Sequence, residues 1–140
     1  MTTKLSNPKD SVGIAKAPMS CVPACVLAEI GVAMLEGKSK YGGYNFRSVG
    51  VRSSIYYDAT MRHLMASHEG EDVDSDSGMS HITKAITSLV VLRDAMIQGK
   101  VTDDRPPKSE PFYARLNESA KVIVEKYAGV EVEHFTEVGK

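Results

Sequence analysis

Apolar residues recur at helical spacing in four stretches of the chain, and nowhere do apolar and polar positions alternate for long enough to build a sheet. From Ala24 to about Lys38, Val26, Ile30 and Ala33 form one stripe, with Leu27 and Met34 across the helix, which predicts a first helix. Ser53 stands where an N-cap is needed for a second helix running to about His68, with Ile55, Ala59 and Ala66 on one stripe. The acidic, glycine-containing EGEDVDSDSG ends it. A third helix is expected from about Met79 to Gln98, with Ile82, Ala85, Ile86, Leu89 and Met96 on one face and Gly99 at its end. After the polar VTDDRPPKSEP, the residues Phe112, Leu116, Ala120, Ile123 and Tyr127 predict a fourth.

The pieces between the helices are less regular. Met1 to Pro23 holds three of the six prolines and no sustained period, so it reads as an irregular N-terminal arm. SKYGGYNFRSVGV is rich in glycine and aromatic residues without a period, as expected of a shaped loop whose tyrosines face a ligand or the core. The fold class that follows is all-α, a compact helical bundle with an irregular arm. At 140 residues the chain suits one domain. The expected division is 1–98, which includes the arm, and 99–140, a polar connection and a C-terminal helix of the same bundle.

Composition narrows the possible partners. Seventeen Lys and Arg nearly balance eighteen Asp and Glu, so no global positive field favours a nucleic-acid backbone. No apolar run is long enough to span a bilayer and the first residues lack the apolar core of a signal peptide, so a cytoplasmic protein with no membrane partner is expected. Cys21 and Cys25 have no second pair of ligands to complete a zinc site and are expected to be buried free thiols.

Two patterns fail on spacing. GKS at Gly37–Ser39 lacks the glycine five residues earlier that a P-loop needs, because Val32 stands there. Asp72, Asp74 and Asp76 match the first ligands of a calcium loop, but Ser77 and Thr83 replace the required Gly and Glu, so a solvated acidic turn competes with a cation site. On the predicted helices, Glu29 and Glu36 lie seven apart and would border the interior. Asp58 and Arg62 sit one turn apart, with Arg62 and His63 close to the apolar stripe; a structural ion pair and a phosphate or metal site are both open. Arg93 falls on the apolar face of the third helix, which makes that stripe a candidate face between subunits, although for Arg93 itself a structural ion pair is the favoured expectation.

Taken in order, NPKD at Asn7, KYGGYNFR at Lys40–Arg47, GVRSSIYYDATMRHL at Gly50–Leu64, GEDVDSDSG at Gly70–Gly78 and then His81 resemble the phage dATP/dGTP diphosphohydrolase family, the MazZ-like proteins. The resemblance runs from near Asn7 to about Ala95. Such proteins are similar to the all-α MazG-like nucleotide pyrophosphatases, oligomeric bundles that hold magnesium or manganese on carboxylates. The resemblance implies hydrolysis of a purine deoxynucleoside triphosphate, dGTP favoured and dATP possible, to monophosphate and pyrophosphate. It also implies a role in diaminopurine synthesis, and the host cytoplasm as location. The EExxE and ExxD patterns of the MazG-like enzymes are not literally present, and many relatives have His where this chain has Lys84 and Asn or Cys where it has Ser88.

A triphosphate concentrates negative charge, so its hydrolysis calls for cations. On this reading Glu36 and Asp58 hold Mg²⁺ or Mn²⁺, with Glu29, Glu71 and Asp74 as further ligands. Lys40, Arg47 and Arg62 contact phosphate, and His63 orients a carboxylate or donates to phosphate. Tyr41, Tyr44, Asn45 and Phe46 shape the base pocket. A homo-oligomer, dimer or tetramer, is expected to complete core and site. The rival reading is a non-catalytic nucleotide- or partner-binding module, which predicts binding without turnover; a cation-binding protein using the Asp72–Asp76 loop is a third.

Overall fold

The computed structural model describes residues 6–139; positions 1–5, which belong to the expected arm, and 140 lie outside the described residues. The elements are α1 (Pro8–Gly13), a single 3₁₀ turn (Met19–Cys21), α2 (Ala24–Tyr41), α3 (Asn45–Ser48), β1 (Val51–Arg52), α4 (Ser53–His68), α5 (His81–Ile97), β2 (Val101–Thr102) and α6 (Tyr113–Lys126). The all-α expectation holds: the strands are two residues each and pair in parallel, Val51 with Val101 and Arg52 with Thr102. The chain divides into two compact units, 1–105 and 106–140. Among the described residues no helix is long and apolar enough to cross a membrane.

In the first unit α5 is the shared element, packed extensively on α4 and on α2. Its N-terminus is capped by Ser80, whose hydroxyl accepts from the Ile82 and Thr83 amides, and Gly99 at φ 69° follows its end. The apolar stripe of α5 is buried only in part. Ala85 is buried, but Ile82, Leu89 and Met96 are exposed, and the helix instead buries His81, Thr83, Thr87, Val91 and Ala95. Packing against two neighbours selects small residues from two flanks, because they let helix axes approach closely. The buried Thr60 and Thr87 hydroxyls donate to carbonyls one turn back, Tyr56 O and Thr83 O, both at 2.7 Å, so neither is left unsatisfied. The core joins Phe46, Val51, Val91 and Ala95, with Met34, Tyr56, Leu92 and Val101 packed against it.

Other local expectations are corrected. The glycine- and aromatic-rich segment is not a plain loop: α2 runs on to Tyr41, and a single helical turn, α3, is set inside it. The arm contains α1, capped by the Asn7 side chain on the Lys9 amide. Cys21 and Cys25 are free but exposed, since the 3₁₀ turn and the first turn of α2 bury none of their residues beneath neighbouring elements. Arg93 is exposed and forms no ion pair among the described residues, so it needs no buried partner.

Ser53 is the first residue of α4 rather than its cap, and the Arg52 side chain provides none. The cap comes from Asp104, whose carboxylate accepts from the Ser54 amide at 2.8 Å and from the Ser54 hydroxyl. These bonds hold the Asp104 carboxyl below its ordinary value. Asp104→Ala is therefore expected to lower the urea midpoint without changing the m-value. The loss should fade as pH falls through the depressed value, where wild-type Asp104 also becomes neutral.

The second unit is built on α6, whose Phe112 and Tyr113 rings lie 4.6 Å apart at its start and which contains no buried residue.

Candidate functional site

A cavity of about 530 Å³ lies between the C-terminal half of α2, the turn leading into α3, and α5. That volume suits a ligand of nucleotide size. Three buried residues from three elements, Ala33, Phe46 and Val91, give it an apolar lining. The turn is set by Gly42 at φ 90° and by Tyr44, a non-glycine residue in the left-handed region at φ 57°. Strain of this kind persists where surrounding contacts over-determine it. Here the Tyr44 ring packs 5.6 Å from Phe46 and carries the Arg47 guanidinium 4.9 Å above it.

Two polar ties fix the walls. Arg47 donates to Asp94 through Nε (2.9 Å) and Nη2 (2.8 Å), a forked pair that holds α3 to α5 and keeps the Asp94 carboxyl below its ordinary value. Glu36 Oε1 accepts from Lys84 Nζ at 3.0 Å and from Lys40 Nζ at 3.1 Å, and these ammonium groups, Lys84 first, lower the Glu36 carboxyl. The cavity lining holds four cationic side chains, Lys38, Lys40, Arg47 and Lys84, against two carboxylates, Glu36 and Asp94. This excess of two positive charges stands in a chain whose net charge is −1. An anionic ligand is the electrostatic complement.

Of the residues singled out in the sequence, Glu36, Lys40, Tyr41, Tyr44, Asn45, Phe46 and Arg47 line this one cavity. Glu29, Asp58, Arg62, His63, Glu71 and Asp74 do not. Glu29 and Asp58 are exposed on α2 and α4, so Glu29 does not border the interior. No ion pair joins Asp58 to Arg62, which is exposed as well. Among the lining residues that spacing missed are Lys38 on α2 and, on α5 and far along the chain from Lys40–Arg47, Lys84, Ser88 and Asp94.

His63, Glu71 and His81 meet elsewhere. The His63 and His81 Nδ1 atoms are 2.8 Å apart, so one ring donates and the other accepts. Glu71 Oε1 stands 3.2 Å from the buried His81 Nε2, within ion-pair range but not in hydrogen-bonding geometry. Asp74 turns inward on its own loop, accepting from the Ser77 hydroxyl at 2.7 Å and from the Asp76 and Ser77 amides, which lowers its carboxyl. Among the described residues no three His, Cys, Asp or Glu side chains are arranged to hold a metal ion.

Burial, then the neighbouring His81, lowers the His63 imidazole from its ordinary value of 6.5. The fold thus favours neutral His63, and the stability this carries is complete above about pH 6.5 and lost as pH falls through the lowered folded value. Denaturation midpoints are expected to fall between pH 7.5 and 5, and to fall less in His63→Gln, which keeps a hydrogen-bonding group. Parallel curves for the two proteins would exclude this origin.

The elements that build the cavity fall inside a recognised sequence family. Residues 6–105 match the family described as dATP/dGTP diphosphohydrolase, N-terminal. A dATP/dGTP diphosphohydrolase of Salmonella phage PMBT28 is similar, 27% identical over 90 residues that cover 64% of this chain and 30% of that protein. The chain thus spans less than a third of the length of the curated relative it matches. No solved structure matches it. With the family pattern running through α1 to β2 and across every wall of the cavity, the chain belongs to the dATP/dGTP diphosphohydrolase N-terminal family.

Proposed function

We propose that the chain is a nucleotide pyrophosphohydrolase that cleaves a purine deoxynucleoside triphosphate, dGTP before dATP, to the monophosphate and pyrophosphate. The observation that carries this reading is the cationic cavity of nucleotide size, lined by aromatic side chains and by lysines from both α2 and α5, in a family described by that activity. In the proposed complex Lys40, Lys84 and Arg47 receive the phosphates. The Tyr44–Phe46 pair offers a stacking surface for the base, and the Asn45 amide offers a donor and an acceptor to its edge. Water adds to the α-phosphorus, the bridging oxygen leaves with pyrophosphate, and the positive wall offsets charge on the departing group.

The expected carboxylate ligands do not fit a resident metal within one chain: Glu36 is taken up by two lysines, and Glu29, Asp58, Glu71 and Asp74 are dispersed. The Mg²⁺ or Mn²⁺ of this proposal is therefore the ion that accompanies the triphosphate as part of the substrate. Incubating the protein with each dNTP and rNTP, with Mg²⁺, Mn²⁺ or EDTA, and separating the products tests the reading. Monophosphate plus pyrophosphate from dGTP and dATP, lost with EDTA, is expected. Binding without any product would favour the non-catalytic module, and inorganic phosphate as the first product would place the chemistry at another bond. A role in supplying dGMP for diaminopurine synthesis follows if dGTP is the preferred substrate.

A second copy of the chain is part of the proposal. Ile82, Leu89 and Met96 recur every seven residues on the exposed side of α5, with half-buried Ile86 and exposed Arg93 between them. Such a stripe is the seam by which helices of two subunits pack. Leu89→Lys is expected to shift sedimentation from dimer or tetramer to monomer, whereas a monomeric wild type would remove this part of the account.

A further inference from the structure

The arrangement around Glu36 is an unusual use of one carboxylate. Both Lys40, one turn away on α2, and Lys84, reaching across from α5, place their ammonium groups on the same oxygen, Oε1, at 3.1 and 3.0 Å. Lys84 is well covered, its side chain 19% exposed, and Glu36 is 25% exposed. One negative charge cannot neutralise two ammonium ions. The nearest additional carboxylate, Asp76, is 3.9 Å from Lys40 with its side chain 85% exposed, where solvent and salt screen it. The wall therefore keeps a positive charge that faces the cavity.

We infer that Lys84 and Lys40 form a clamp for a polyphosphate oxyanion, and that Glu36 is a built-in stand-in which the oxyanion displaces. Glu36 Oε1 occupies a point within hydrogen-bonding reach of two ammonium groups, the place where a phosphate oxygen satisfies both. The oxyanion brings more charge and more acceptor oxygens than the carboxylate, so exchange is favoured when it arrives. When it leaves, the carboxylate closes on the lysines and spares them an unpaired, half-buried state. Assigning the oxyanion to the tail of a nucleoside triphosphate rests on the proposed function; the clamp itself rests on the Glu36 geometry and the cavity charge.

This reading assigns Glu36 a direction of effect opposite to that of a metal ligand. With EDTA present, calorimetric titration of wild-type protein with inorganic tripolyphosphate, pyrophosphate and dGTP is the test. Glu36→Gln is expected to tighten tripolyphosphate binding at least fivefold, and Lys84→Met to weaken it at least tenfold. Equal weakening of dGTP by Lys84→Met identifies the nucleotide tail as the occupant. Binding of tripolyphosphate and pyrophosphate without dGTP would leave the clamp standing and remove the nucleotide reading. If Lys84→Met does not fold, Lys40→Met, which keeps the Glu36–Lys84 tie between α2 and α5, carries the same tenfold expectation. Folded Glu36→Gln that binds tripolyphosphate no better than wild type would overturn the inference and leave the three residues as a structural tie. So would no measurable binding by wild type.

Discussion

Gly50→Ala is expected to destabilise the first unit by about 3 kcal/mol, the sum of positive-φ strain and a steric clash. Gly50 has φ 87°, and a Cβ there would stand 2.6 Å from the Lys100 carbonyl oxygen. The same carbonyl accepts from the Val51 amide at 2.9 Å, the bond that begins the β1–β2 pairing. Neither backbone can retreat without opening that pair beside Val51, a member of the core, and Val101, which packs against it. The melting temperature should fall on the order of 10 °C. Gly70→Ala is the control: φ is 103° but nothing lies within 4 Å of the added carbon, so only the strain applies and the fall should be clearly smaller. Equal effects at the two positions would show that the close approach at Lys100 contributes nothing.

If the proposed activity holds, Arg47→Met is expected to reduce kcat/KM for the preferred triphosphate at least a hundredfold while moving the melting temperature little. Arg47 is the forked tie from α3 to Asp94 and lies over the Tyr44 ring, so its loss frees the turn that carries Tyr44, Asn45 and Phe46. Displacements of about 1 Å suffice for losses of this size. The pair is also partly solvated, with Arg47 48% exposed, which limits its weight in folding. Asp94→Asn, which keeps the cation, should cost less, and the double variant should be no worse than Arg47→Met alone. A kcat/KM within threefold of wild type in Arg47→Met would show that the turn is positioned by other contacts.

What the sequence makes legible follows from the range over which each signal acts. Helix α4 ends at His68 as expected and starts one residue before the expected first turn, at Ser53, and α5 lies within two residues of its expected start, because helical periods are local. α3 is invisible to periodicity, since a four-residue helix has barely one turn in which to show a period. The apolar stripe of α5 does not by itself tell which residues the chain covers: Ile82, Leu89 and Met96 stay exposed while Thr83 and Thr87 are buried against neighbouring helices.

The candidate site divides the same way. Lys40, Tyr41, Asn45 and Arg47 stand out because they crowd into eight residues with two glycines. Lys84 and Asp94 do not, although they bind Glu36 and Arg47 directly, for those contacts span 48 and 47 residues of sequence. The Asp104 cap on Ser54, across 50 residues, escapes notice for the same reason. His63 is legible as a polar residue beside an apolar stripe, but its partner His81 becomes visible only when α4 and α5 are laid together.

The central claim is that the cavity between α2, the Gly42–Arg47 turn and α5 receives the triphosphate. Its most direct test is a backbone NMR titration of the labelled protein with an α,β-imido analogue of dGTP, which cannot be cleaved at the proposed bond. The account predicts saturable shifts concentrated at Glu36–Arg47 and at Lys84–Asp94, with the Glu29 and Asp58 amides unmoved. Shifts confined to the His63–His81 cluster, or to the exposed Ile82–Met96 stripe, would contradict it.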